Sequence, residues 1–226
     1  MEVEENNSQV NQMENEKYLT TQIITYIGNK RSLLSFIGQA VEIIKEKLGK
    51  DKLDIVDIFS GSGIVSRYLK QYSSKLIAND LEEYSYILND CYLSNKNEIN
   101  MDEVISWYNY LKENINKELK GGFITDMYAP SDMNNIKLGE RCFFTTRNAM
   151  YIDTMRNLIN DVPENYQKFF IAPLLTEASI KNNTSGVFKG FYKNSETGIG
   201  QFGGNNEDAL SRIKKDIDLP FPVFSN

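Results

Sequence analysis

The residues best placed to hold a ligand fall in two short stretches, VDIFSGSG (Val56–Gly63) and IAND (Ile77–Asp80). The first carries the apolar residues of a strand directly into Ser60, Gly61, Ser62 and Gly63. Small residues there let the chain turn sharply off the strand, so that a nucleoside moiety can approach the backbone at the carboxyl edge of a sheet. An acidic residue about twenty positions on, at the end of the next strand, is placed to accept hydrogen bonds from two ribose hydroxyls. Asp80 holds that position. A plainer reading of the same letters has Gly61 and Gly63 closing a βα turn and Asp80 capping the next helix. A dinucleotide fingerprint would place a third glycine where Ser66 stands, so that pattern is not met.

The chain has no histidine and two cysteines, Cys91 and Cys142, far apart in sequence. Ser-His-Asp and Cys-His hydrolase arrangements are therefore excluded, and so is the commonest general base. A zinc centre is not expected, and both cysteines read as reduced core thiols. Any chemistry must run through carboxylates, amides, tyrosines or a cofactor.

The elements that position these residues form a βαβ unit. LDIVDIF (Leu53–Phe59) has the continuous apolar character of a parallel strand covered on both faces. IVSRYLKQY then reads as helix, KLIAND (Lys75–Asp80) as a second strand and EYSYILNDCYLSN as a second helix. This is the repeating unit of doubly wound sheets. Ahead of it, Ile23–Gly28 is an apolar stretch entering a glycine turn. A helix from about Arg31 to Leu48 follows, with Leu33, Leu34, Ile37, Val41 and Ile44 on one face. Downstream, an amphipathic helix is predicted over Met101–Leu119, stopped by Gly121 and Gly122. FTTRNAMYIDTMRNLIN starts at a threonine cap, and ENYQKFFIAPLLTEASIKN is a mostly buried helix kinked at Pro173. KNNTSGVFKGFYKNSETGIGQFGGNNED loses helical period and reads as hairpins or ordered loops. Ala209–Ile217 is a short helix, and FPVFSN (Phe221–Asn226) a strand. No internal repeat is present.

Hydrophobic residues are 41% and charged residues 25% of the 226, the balance of an ordinary globular chain with room for one α/β domain plus an insertion. No apolar run approaches a membrane span. The acidic, Asn-rich start is unlike a signal peptide, which predicts a cytoplasmic protein. The net charge of −6 weighs against nucleic-acid binding. Much of it is local, because the first 17 residues hold five glutamates and one lysine and read as a solvated, disordered tail. Binding follows the field at an interface, not the whole-chain sum.

One basic stretch stands out. KNNTSGVFKGFYKN carries Lys181, Lys189 and Lys193 with no acid among them, interleaved with Phe188, Phe191, Tyr192 and amides such as Asn183. Lysines there can hold phosphates, amides can reach base edges and aromatics can stack or wedge. A surface loop with its aromatics tucked into the core is the alternative. Arg147 and Arg156 have two readings as well, phosphate contact or pairing with a helix neighbour such as Asp153.

Taken in order, YIGNKRSLL (Tyr26–Leu34), VDIFSGSG and IAND resemble the three cofactor motifs of the Dam-like, alpha-order N6-adenine DNA methyltransferases. The resemblance implies a Rossmann-like, S-adenosylmethionine (SAM) dependent α/β core with an incomplete sheet and an inserted, mainly helical target-recognition subdomain. It assigns SAM contact to Tyr26, Lys30, Phe59, Gly61 and Gly63, and ribose binding to Asp80. Read from the residues alone, Tyr26 is as well explained by core packing, and Lys30 as an exposed lysine near a helix start. The resemblance continues through the segments around Thr146 and Thr184, which makes double-stranded DNA the partner and Lys181, Asn183, Lys189, Tyr192 and Lys193 its contacts. The expected division is a disordered tail over 1–19, a SAM-binding core over 20–120, a recognition region over 121–219 and the start of a returning core strand over 220–226.

In that family, a later D-P-P-Y tetrapeptide positions the flipped adenine. Its Asp and a proline carbonyl accept the amino hydrogens, and its Tyr stacks on the base. The five prolines here, Pro130, Pro163, Pro173, Pro220 and Pro222, stand in no such context. The resemblance thus implies cofactor binding and DNA recognition within a restriction-modification or related system, without a catalytic residue in these 226 positions. Three origins fit: a truncated reading frame, a split enzyme completed by a second polypeptide, or a non-catalytic DNA-binding remnant. A SAM enzyme for RNA or protein, or a nucleotide-binding oxidoreductase, leaves Thr184–Gly204 unexplained. An unpaired sheet edge and bare apolar helix faces predict poor stability or obligate association alone.

Overall fold

The computed structural model of the chain describes residues 18–19, 23–24, 28, 30–184, 190–203 and 207–225. A 3-10 turn over Arg31–Leu33 leads into helix α1 (Leu34–Leu48), which stops where Gly49 turns left-handed at φ 62°. Lys45 and Lys47 in its last turn suit the negative end of the helix dipole. Strand β1 (Leu53–Asp57), helix α2 (Ile64–Lys70) and strand β2 (Ser73–Ala78) follow as the expected βαβ unit. The strands are parallel, with Ile55 opposite Leu76 and Val56 opposite Ile77, after a register shift between Leu53 and Asp54.

Side chains of α1, α2 and one sheet face meet in a small core around Val41, Leu53 and Leu69, flanked by Ile37, Ile55, Val65, Tyr72 and Leu76. Coverage on both faces was the expectation for β1, and the structure corrects it. Among the described residues nothing covers the second face, where Val56 is 58% and Ile77 45% exposed. Alternate residues of each strand point to opposite faces, so helices packed on one side leave the other half of the residues in water. The stripe on α1 is likewise split: Leu34 and Val41 are buried, while Leu33 and Ile44 are exposed. Among the described residues the sheet has only these two strands.

The larger core lies among helices α3 (Glu83–Tyr92), α4 (Met101–Ile115), α5 (Phe123–Tyr128), α6 (Thr146–Ile159) and α7 (Glu164–Lys181), with α8 (Glu207–Lys214) packed on α7. Asn100 caps α4, its side chain accepting from the Glu103 N–H, and Thr145 caps α6 by accepting from the Asn148 N–H. The spacing of Ala149, Ile152, Met155 and Ile159 buries one stripe of α6. Helix α7 runs through Pro173 and packs against α3, α6 and α8. Packing is continuous across residue 120, because Leu88 and Cys91 of α3 and Leu111 of α4 share one core with Met155 and Phe170. Both cysteines are free and buried, as expected.

Several boundaries differ from the sequence reading. Helix α4 ends at Ile115 and not Leu119, and the short helix near the end covers Glu207–Lys214 instead of Ala209–Ile217. The returning strand expected over 220–226 does not form: 220–224 is irregular, and Ser225 alone makes a parallel bridge, to Asn95. Pro220 and Pro222 remove ladder donors. The rings of Phe221 and Phe224 pack instead against Tyr108 and Phe169, each pair 5.2 Å apart and edge to face. The strap over 217–219 is held by the Asn148 side-chain carbonyl on the Ile217 N–H and by the Tyr151 hydroxyl on the Leu219 N–H, both at 2.9 Å. Residues 1–17 of the expected tail lie outside the described residues. Its end is not solvated, since Tyr18 is 1% exposed and donates its hydroxyl to the Tyr92 carbonyl at 2.5 Å. No helix among the described residues is long and apolar enough to cross a membrane.

Candidate cofactor site and recognition region

At the carboxyl end of β1 the chain turns through Gly61 (φ 52°) and Gly63 (φ 73°), both left-handed, where a side chain would be strained. The Ser60 N–H donates to the Asn79 carbonyl at 3.0 Å, and the Asn79 N–H donates to the Asp57 carbonyl at 2.8 Å. The ladder between β1 and β2 is thereby carried into the turn. Asp80, two residues past β2, reaches across: its Oδ2 accepts from the Gly61 N–H at 2.7 Å and its Oδ1 from the Glu82 N–H at 3.1 Å. In this geometry Asp80 ties down the glycine turn and, through the Glu82 N–H, shapes the approach to α3, whose N-cap is Glu82 itself.

The Gly61 N–H, then the Glu82 N–H, hold the Asp80 carboxyl below its ordinary value, so it is an anion at neutral pH. A carboxylate has about four acceptor positions, and these bonds leave room for further donors such as vicinal hydroxyls. Phe59, 87% exposed, stands beside the turn. A turn of small residues, an anionic acceptor at its lip and an exposed ring fit a nucleoside-bearing cofactor. Lys30 lies exposed ahead of α1, its Nζ donating to the Gly28 carbonyl at 2.9 Å. Tyr26 lies outside the described residues.

Further along, antiparallel bridges Thr184–Phe191 and Lys193–Gly200 fold the expected hairpin region, which reverses where the Asn194 side chain accepts from the Glu196 and Thr197 N–H groups. Lys193 is exposed, its Nζ 5.0 Å from the centre of the Phe191 ring, and Tyr192 is half-buried beside it. Lys189 lies outside the described residues. Two expected DNA contacts face inward. Asn183 is 0% exposed, its amide nitrogen donating to the Cys142 and Gln201 carbonyls and its oxygen accepting from the Gly203 N–H. Lys181 is 8% exposed and paired with Glu177 at 3.1 Å. Arg147 pairs with Asp216, not Asp153, and Arg156 donates to Asn160.

The model of the D12 class N6 adenine-specific DNA methyltransferases matches residues 26–216. The chain belongs to this family. It is 30% identical over 178 residues to the type II methyltransferase M.NlaIII of Neisseria lactamica, covering 76% of this chain and 50% of that protein. It is 31% identical over 177 residues to the type II methyltransferase M.CviAII of Paramecium bursaria Chlorella virus 1, covering 75% and 49%. M.FokI of Planomicrobium okeanokoites, also a type II methyltransferase, is 30% identical over 220 residues, covering 84% and 32%. The chain thus spans half or less of the length of these relatives. No solved structure matches it.

Three polar residues that support this D12 fold carry no motif-level signal. Arg67 is buried, donates to the Tyr18 carbonyl at 2.6 Å and lies within 6 Å of two tyrosine rings, and burial lowers its pKa to about 10. Asp153 faces inward from α6, and Asn89 sits beneath the glycine turn. A charged residue within an apolar stripe, as Asp153 is between Ile152 and Met155, was the one available hint. Among the described residues no three Asp, Glu or Cys side chains are grouped to hold a metal. An apolar cleft of about 690 Å3 opens between α3, α5, α6 and α7, lined by Tyr84, Ile87, Phe123, Ile152 and Leu174. It includes neither the turn nor Asp80.

Proposed function

We propose that these residues supply the SAM-binding and target-recognition parts of a site-specific N6-adenine DNA methyltransferase of a restriction-modification system. The observation that supports this reading is the bond from the Gly61 N–H to the Asp80 carboxylate, which brings together VDIFSGSG and IAND, two of the three motifs of the resemblance. SAM, when bound, supplies an electrophilic methyl group. Asp80 accepts the ribose hydroxyls, the glycine turn admits the nucleoside close to the backbone and Lys30 neutralises the carboxylate of the methionine portion. Tyr26 and Phe59 flank it. Lys193, Lys189 and Tyr192 face double-stranded DNA, while Lys181 and Asn183 brace that surface from within. A D-P-P-Y segment from outside these residues completes the centre, on the same polypeptide or a second one.

Calorimetry with SAM tests the cofactor half. Asp80→Ala is expected to weaken binding at least about tenfold, the scale of losing hydrogen bonds to a charged acceptor. Lys30→Ala is expected to weaken it less, and unchanged affinity in both removes the assignment. A second reading is a DNA-binding specificity component without catalysis. Transfer of tritiated methyl groups to DNA by the purified chain alone would contradict it.

A further inference from the structure

We propose that Asn89 is a positioning residue for SAM, acting through the glycine turn without touching the cofactor; this rests on the cofactor reading above. Asn89 lies on α3, 8% exposed. Its Nδ2 donates to the Ser60 hydroxyl and to the Ser85 carbonyl, each at 2.9 Å, and lies 3.2 Å from the Ser85 hydroxyl. A backbone carbonyl only accepts, so the bond to Ser85 fixes which end of the amide is nitrogen. The oxygen therefore faces the other way, onto Gly63. It accepts no hydrogen bond among the described residues, and a Cβ on Gly63 would lie 2.7 Å from it.

A buried, unpaired amide oxygen works against stability. Its place against Gly63 sets the separation between the turn and α3, and admits only a glycine there. The Ser85 hydroxyl, beside the Asn89 amide, donates to the Gly61 carbonyl at 2.6 Å. Gly61 is thus clamped at both ends, its N–H by Asp80 from the β2 side and its carbonyl by Ser85 from the α3 side. Asn89 braces Ser60 and Ser85 together. A turn held in shape beforehand loses little freedom when a ligand arrives, and the saving appears as affinity.

The test compares the full chain with Asn89→Ala and with Leu88→Ala, a neighbour on α3 that is 1% exposed and belongs to the helical core. Two readouts are taken: SAM affinity by calorimetry, and the Gly61 amide resonance in the ligand-free protein. Asn89→Ala is expected to weaken SAM binding about tenfold, as for a lost buried hydrogen-bond brace, and to shift the Gly61 resonance. Leu88→Ala is expected to lower the melting temperature while leaving both unchanged in the folded protein. Equal affinity and an unmoved resonance in Asn89→Ala overturn the proposal, as does a loss of affinity that Leu88→Ala matches. If Asn89→Ala fails to fold, Ser85→Ala removes only the hydroxyl on the Gly61 carbonyl and carries the same expectation. A parent chain that does not bind SAM overturns the cofactor reading instead. The resonance then decides alone whether Asn89 sets the turn.

Discussion

The Asp80 carboxylate is the bond on which the turn closes, and its ionisation has a direction that can be followed. Its folded pKa lies below that of an ordinary aspartate, chiefly because of the Gly61 N–H. A carboxyl whose pKa is depressed on folding contributes stability in full above its unfolded value and loses it as pH falls through the folded one. Hydrogen exchange at the Gly61 amide should therefore stay protected on acidification to about pH 4 and open only below that; opening nearer neutrality would contradict the bond. The two thiols give a second residue-scale expectation. Burial pushes Cys142 up to about 11 and Cys91 further still, and both are 0% exposed. A thiol reagent should label neither in the native chain and both after unfolding, because the thiolate is the reactive form. At this scale, Gly61, Gly63 and Asp80 were readable because a turn and an acid at fixed spacing are local features. Asn183 and Lys181 were not, since lysine and amide letters carry no record of whether Cys142, Gln201 or Glu177 will fold over them.

Among the elements, α5 depends most on a single side chain from elsewhere. Asp153 of α6, 7% exposed, accepts from the Gly122 and Ile124 N–H groups at 2.9 Å, from the Thr125 N–H at 2.8 Å and from the Thr125 hydroxyl at 2.7 Å. The first N–H groups of a helix have no partner within it, and this carboxylate supplies one across two helices. Asp153→Ala leaves those donors to water or to nothing, and is expected to cost about 2–4 kcal/mol in urea denaturation, more than an ordinary cap. A loss under about 1 kcal/mol would mean that α5 frays in the parent as well. The order of helices and strands was legible because periodicity and caps are local. The ends of α4 and α8 were not, and FPVFSN differs for a physical reason: an apolar run reads as a strand, while Pro222, the preceding Pro220 and two rings with aromatic partners in the helical core favour a strap.

At the scale of the whole molecule the two cores are unequal, and among the described residues the smaller one leaves half of its sheet uncovered. Parallel strands are ordinarily buried on both faces, and two strands are fewer than a sheet needs to stand alone. Here Val56, Ile58 and Ile77 present an apolar face next to the β1 edge that β2 does not occupy, with Phe59 at its end. Matched relatives are at least about twice as long as the region shared with this chain in the cases of M.NlaIII and M.CviAII. Apolar burial and a strand edge that is unpaired among the described residues both favour association of such a face. The purified chain is therefore expected to self-associate, read by light scattering across a concentration series. The double variant Val56→Thr, Ile77→Thr should shift it toward monomer with little change in melting temperature, since both residues keep β-branched shape and neither is in a packed core. Leu53→Ala makes the contrast: it empties part of the small core at 8% exposure and should lower stability without relieving association. A parent that is monodisperse at all concentrations would mean that the bare face is tolerated as solvated surface.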